Sequence, residues 1–166
     1  MVLRPKKQKH CLAQELTQGD CWIALSLAHG SGLILSARVG KHNDTLLSQL
    51  WSSTERKTAY KFWNTDGHEG YKRIFTPEIR HRASKKYTQQ IERTNGIIRQ
   101  QTGRWHRRQN KFGKQWEQTK VTTRLVVGYF NWIWTHSRKG TTAAQRAGLT
   151  NMSWSWNDII TYPTFY

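Results

Sequence analysis

KKYTQQIERTNGIIRQQTGRWHRRQNKFGK, Lys85 to Lys114, is the stretch from which the rest of the chain can be read. Ile91, Ile98, Trp105 and Phe112 recur every seven residues, which keeps them near one face of a helix. Around one carboxylate, Glu92, stand Lys85, Lys86, Arg93, Arg99, Arg104, Arg107, Arg108, Lys111 and Lys114. An apolar seam on an otherwise basic helix suits a polyanion, and the lone acid needs a reason. Gly96, Gly103 and Gly113 each offer a break, and the seam runs past all three without choosing one.

Composition points the same way. In 166 residues, 27 Lys and Arg face 10 Asp and Glu, a net charge of +17, with a pI near 10.4. That balance implies nucleic acid as partner. Nine Trp, six Tyr and five Phe exclude a disordered basic tail, which would be poor in them. Length allows one domain with a core and an appendage. Cys11 and Cys21 have neither disulfide nor zinc-finger spacing, and His10 beside Cys11 is too little for a metal site. A reduced cytoplasmic setting, nucleoid-associated on DNA, is expected. The opening residues lack an apolar signal core, and no apolar run nears the roughly 20 residues of a membrane helix. No GxxxxGK[ST] occurs, so no nucleotide cofactor is expected. His68, His81 and His106 are scattered and read as surface or packing residues.

Working outward, Asp20–Ala28 (DCWIALSLA) is almost continuously apolar, as a buried strand is, and Leu33–Val39 is a second strand. The His29-Gly30-Ser31-Gly32 turn is too short for anything but an antiparallel hairpin. Asn43 or Asp44 caps a helix whose apolar face is Leu46, Leu47, Leu50 and Trp51. A third strand spans Thr58–Asn64 and ends at Thr65-Asp66-Gly67. A short helix follows over His68–Phe75, closed by Pro77, then a short strand over Ile79–Ala83. Beyond the basic helix, Lys114–Thr135 is amphipathic, with Val121, Leu125, Tyr129, Trp132 and Ile133 on one face. Thr141–Gly148 is a short helix, and the tail carries Trp154 and Trp156, read as packing against the core rather than stacking on bases. This order makes a mixed sheet covered by helices.

Phosphodiester transfer needs an attacking oxygen activated and a leaving oxygen stabilised, which two divalent ions achieve together. Magnesium takes hard oxygen ligands, so acids from separate elements must converge. Asp66 stands at the C-terminal end of a strand, where open α/β sheets gather ligands, and Glu92 lies early in the basic helix. The plainer readings are a turn residue for Asp66 and an ion pair with Arg93, Lys85 or Lys86 for Glu92. Spacing alone does not choose between them.

Tyr87-Thr88-Gln89-Gln90-Ile91-Glu92-Arg93-Thr94-Asn95, then Arg99-Gln100 and Arg107-Arg108, resemble the DDE transposases of the insertion-sequence-one type, especially a cyanobacterial branch. Asn64-Thr65-Asp66 with Tyr71 resembles their second-Asp motif. Ala143–Leu149, followed by Trp154 and Trp156, resembles a C-terminal segment of several members. The likeness runs from about Gly19 to Ile160. It implies a ribonuclease H-like α/β fold with a helical C-terminal extension, cutting and joining DNA with two Mg2+ or Mn2+ ions. Asp66 becomes the second catalytic, metal-binding acid and Glu92 the third. Lys85, Lys86, Arg93, Asn95, Arg99, Arg104, Arg107 and Arg108 become the DNA-binding set. Transposon ends and target DNA are the partners, with a homo-oligomer assembled on them.

Two departures stand out. His68 occupies a position where relatives often carry Trp. The first acid of the triad, expected within a first strand, is not found: Glu15 lacks its context and Asp20 is a weak substitute. The expectation is a chain that starts late, without its first strand and any upstream zinc module, and inactive alone. Residues 1–19 are then an irregular basic lead-in, 20–112 a partial catalytic core, and 113–166 C-terminal helices and aromatic tail. The alternatives are a non-catalytic DNA-binding remnant that competes with full-length transposase, and a generic basic RNA-associated protein.

Overall fold

The computed structural model describes residues 2–3, 10–12, 18–59, 62–105 and 115–163. Within them the hairpin forms as read: β2 (Cys21–Leu27) and β3 (Ile34–Gly40) pair antiparallel, Ile23 opposite Val39 and Leu25 opposite Ala37. Gly30 and Gly32 take positive φ in the turn, a backbone that glycine adopts without strain. A short β1 (Val2–Leu3) pairs antiparallel with β2 on the side away from β3.

The two faces of this sheet are chemically different. Cys21, Ile23, Leu25 and Ile34 bury against Ile98, Trp105, Trp116 and Phe130 in the main core. Burial pushes the Cys21 thiol up to about 12, leaving it a packing group. On the opposite face lies α1 (Asp44–Glu55), capped by the Asn43 side chain accepting from the Leu46 amide at 3.1 Å. Leu46, Leu47 and Leu50 are buried there, beside a layer of hydroxyls: Ser26 bonds Thr54 at 2.7 Å, and Ser36 bonds Ser53.

The second sheet is parallel: β4 (Phe62–Thr65) pairs with β5 (Arg80–Ala83), Thr65 opposite Ala83. The crossover carries α2 (Gly70–Ile74). The expected mixed sheet is thus present as two pieces among the described residues, because no described strand pairs with both β2 and β4.

The basic helix is α3 (Lys85–Thr102), capped by Ser84 and stopped by Gly103 at φ 60, whose amide returns to the Arg99 carbonyl at 3.2 Å. It passes through Gly96 unbroken. The seam is helical only as far as Ile98: Trp105 is buried from the turn beyond the cap, and Phe112 and Gly113 lie outside the described residues.

One expected face is wrong. On α4 (Trp116–Gly128), Val121 and Leu125 are 52% and 55% exposed, while Trp116, Thr119 and Thr123 are buried. The Thr119 and Thr123 hydroxyls donate to the carbonyls one turn back at 2.9 and 2.7 Å, so threonine buries without an orphaned donor. A π-helical turn, Tyr129–Ile133, continues α4, and its buried Asn131 grips the edge of β3, accepting from Ile34 N–H (2.9 Å) and donating to Ile34 C=O (3.0 Å). α5 (Ala143–Arg146) carries a Thr142–Gln145 capping box, and its Arg146 Nε donates to the Ser31 carbonyl at 2.8 Å, fixing the hairpin turn. Before α6 (Trp156–Thr161), Trp154 packs on Trp132 with ring centres 4.4 Å apart, and Trp156 stacks on Tyr129.

Candidate metal and nucleic-acid site

The parallel register puts the C-terminal ends of β4 and β5 side by side. Ser84 N–H donates to the Thr65 carbonyl at 3.1 Å, so α3 starts where the chain leaves β4 for Asp66. Thr65 is itself fixed. Its buried hydroxyl donates to the Asp66 carbonyl at 2.8 Å, which makes His81 Nε2, 2.5 Å away, the donor to Thr65 Oγ1.

Asp66 is exposed, and its Oδ1 accepts the His68 amide at 3.2 Å in an Asx-type turn. The turn reading therefore holds for one oxygen of the carboxylate. Around it stands a chain of rings: His42 stacks on Trp22 at 4.0 Å, His68 meets His42 edge-on at 4.5 Å, and Tyr71 follows at 6.2 Å. Burial, then the neighbouring His68, lowers His42, while Asp66 opposes them; burial and the Asp66 charge raise Tyr71 to about 12. His68 thus stands as a ring between His42 and Tyr71 in the stack. Trp22 and His42 were not legible as neighbours of Asp66, since only the fold joins the hairpin and α1 to β4.

Glu92 is exposed eight residues beyond the Ser84 cap, about 12 Å along the helix at 1.5 Å per residue. The Thr88 hydroxyl, shared with the Lys85 carbonyl, reaches Glu92 Oε1 at 3.1 Å. Among the described residues Glu92 makes no ion pair, so the plainer reading with Arg93, Lys85 or Lys86 fails. Seven-residue spacing aligns Lys85, Glu92 and Arg99 in one stripe, next to buried Thr88. Lys86 and Arg93 form a second, outward stripe; Asn95 is half-buried on the inner flank, and Arg104 is exposed past the cap. Arg107 and Arg108 lie outside the described residues.

The donor chemistry at this edge suits a hard cation. Asp66 and Glu92 are exposed carboxylates, and two residues before Asp66 on β4 the Oδ1 of Asn64 is buried without a hydrogen-bond partner. Asn64 alternates onto the strand face of Phe62, over which Arg82 reaches toward Tyr87 of α3. The set is short of acids: among the described residues no three His, Cys, Asp or Glu converge on a metal position, and Asp20, just ahead of β2, joins no such group. No described helix is long and apolar enough to cross a membrane.

Residues 17–133 match the family described as IS1 transposase. Among solved structures, the fold is similar to the catalytic core domain of HTLV-2 integrase, a trimeric form in complex with magnesium. The TM-score is 0.53 at 16% identity, over 87% of this chain and 90% of that one. Identity that low carries the fold, which is ribonuclease H-like, and nothing finer. No curated protein matches the chain.

Proposed function

The chain belongs to the IS1 transposase family, and from that premise we propose that it acts in DNA transposition through the edge where Asp66 and α3 meet. Asp66 and Glu92 contribute carboxylate oxygens to divalent metal, Mg2+ or Mn2+. When bound, the metal supplies activation of an attacking oxygen and stabilisation of a leaving one. Lys85 and Arg99, in the stripe of Glu92, hold the phosphates on either side of the reacting bond. Lys86, Arg93 and Arg104 neutralise the flanking backbone; Arg107 and Arg108 complete the basic set from outside the described residues. Asn95 orients the helix against the sheet.

The observation that carries this reading is the Ser84–Thr65 hydrogen bond. It ties the start of a strongly basic helix to the strand end bearing Asp66, while Glu92, two turns on, makes no ion pair among the described residues. Transposon ends and target DNA are the substrates, and the chain assembles with further copies on them, nucleoid-associated in the cell.

Two carboxylates place two metals poorly, no third acid joins them among the described residues, and positioning is most of what the protein contributes to this chemistry. With that set alone the expected behaviour is DNA binding without cleavage. That favours the second reading, a DNA-binding member that competes with an intact transposase. The test is cleavage and joining of labelled terminal-repeat DNA with Mg2+ or Mn2+, alongside binding of the same DNA. Binding without turnover is expected. Turnover that vanishes in both Asp66→Ala and Glu92→Ala would overturn the incomplete-site reading and restore a full enzyme.

A further inference from the structure

A second basic surface lies on the opposite side of the hairpin. Along β3 the side chains alternate: Ala37 and Val39 turn toward the core under α3 and α4, while Ser36 and Arg38 turn toward α1. Beyond this edge strand is an open cleft of about 570 Å³ lined by Arg38, Ser48, Gln49, Ser52, Ser53 and Arg56. Arg56 is the C-cap of α1, and Arg38 of β3 lines the same cleft.

Both guanidinium groups have donors to spare. Among the described residues Arg38 makes only a long 3.5 Å bond from Nε to the Gln49 carbonyl. Among the described residues neither arginine forms an ion pair. Two exposed arginines facing one cleft repel each other, and an anion between them relieves that repulsion. The planar fork of N–H groups matches a phosphate oxygen pair, and the Ser48 and Ser52 hydroxyls stand beside it to donate as well. One acid is close: Glu55 lines an adjoining cleft with Trp51, Ser52 and Arg56, and among the described residues lining the two clefts the cations are Arg38 and Arg56. Lys57 adds a third cation nearby, its Nζ held on the Leu35 carbonyl at 2.7 Å.

We propose that the Arg38–Arg56 cleft is a second phosphodiester-binding site, which takes the backbone of a duplex separate from the one against α3. The site rests on the DNA reading above and extends it. Strand transfer brings two duplexes to one protein, and the two faces of the antiparallel sheet give each its own contact. Bonds to phosphate position a duplex without reading its sequence, so the cleft is indifferent to base composition.

The experiment uses the full chain and fluorescein-labelled 12- and 20-base-pair duplexes of unrelated sequence. It compares wild type with Arg38→Ala/Arg56→Ala, Lys86→Ala/Arg93→Ala and Glu55→Gln. With the 20-mer, the Arg38/Arg56 double variant is expected to lower the slope of log affinity on log salt by about two, at about 0.9 for each phosphate no longer neutralised. Glu55→Gln should tighten binding. With the 12-mer at low salt, saturation should fall from two duplexes per chain to one in the Arg38/Arg56 variant. Both arginines are exposed, and unchanged thermal unfolding will establish that the double variant is folded. An unchanged slope and stoichiometry in that variant, with weaker binding in Lys86→Ala/Arg93→Ala, overturns the second site and leaves the DNA reading intact. Failure of the wild type to bind either duplex overturns the DNA reading itself.

Discussion

The hairpin β2–β3 and the parallel pair β4–β5 are both small sheets, yet they spend their residues differently. The hairpin is covered on both sides, by the apolar core under α3 and α4 and by α1 with its serine and threonine hydroxyls. The parallel pair is four residues long in each strand, with only Thr65 of its eight residues buried, and it ends in exposed Asp66 on one strand and the start of a basic helix on the other. One sheet supplies stability, and the other presents the edge proposed to hold metal and DNA. Parallel strands aim both C-terminal ends the same way, so a four-residue pair suffices to bring Asp66 and α3 together.

That contrast can be broken at the hairpin first. Ile98 is 1% exposed in the core. Ile98→Ala should cost about 2–5 kcal/mol in a denaturant titration, the range for buried large-to-alanine changes. Next comes Asn131, whose amide satisfies both backbone groups of Ile34. Asn131→Leu orphans a donor and an acceptor at the sheet edge and should cost about 2–6 kcal/mol, at about 1–3 for each unsatisfied buried group. Asp66→Asn and Glu92→Gln, on the presenting side, should leave the unfolding midpoint nearly unchanged. A destabilisation at Asp66 matching that at Ile98 would erase the distinction between the two sheets.

Acid should loosen the presenting side. Burial, then the Lys72 charge, lowers His81; burial, then His68, lowers His42. Near their ordinary value of 6.5 the unfolded chain binds more protons than the folded one at these positions, so stability rises with pH there. The contribution is complete above about pH 7 and is lost as pH falls below about 6.5 through the depressed folded values. Thermal unfolding across about pH 5 to 8 should show this slope, and His81→Gln should reduce it. The smallest change is Gly96→Ala: a Cβ there meets nothing within 4 Å. Alanine in mid-helix should stabilise by about 0.5–1 kcal/mol in the same assay.

What could be read beforehand follows the range of the interaction. The hairpin, the Asn43 cap and the strand–Asp66 junction are local, written in a few neighbouring residues. The inner face of α4 was misread because threonine counts as polar until its hydroxyl finds a carbonyl four residues back. Trp105 kept the helical seam without being in the helix, since burial needs only a position over the core. The ring stack at Asp66 and the grip of Asn131 on Ile34 join residues far apart in the chain, and periodicity carries no sign of them. Glu92 stood out for a different reason: an acid set among so many cations was visible as an oddity before any fold was known.

Whether Asp66 and Glu92 serve one cation is tested most directly by calorimetric titration of Mn2+ into the full chain with a bound duplex. Wild type, Asp66→Asn and Glu92→Gln would be compared at equal duplex saturation. The expected result is a Mn2+ site in the wild type that is abolished in each variant alike. Titration curves that superimpose for all three proteins would contradict a shared metal site at the end of β4.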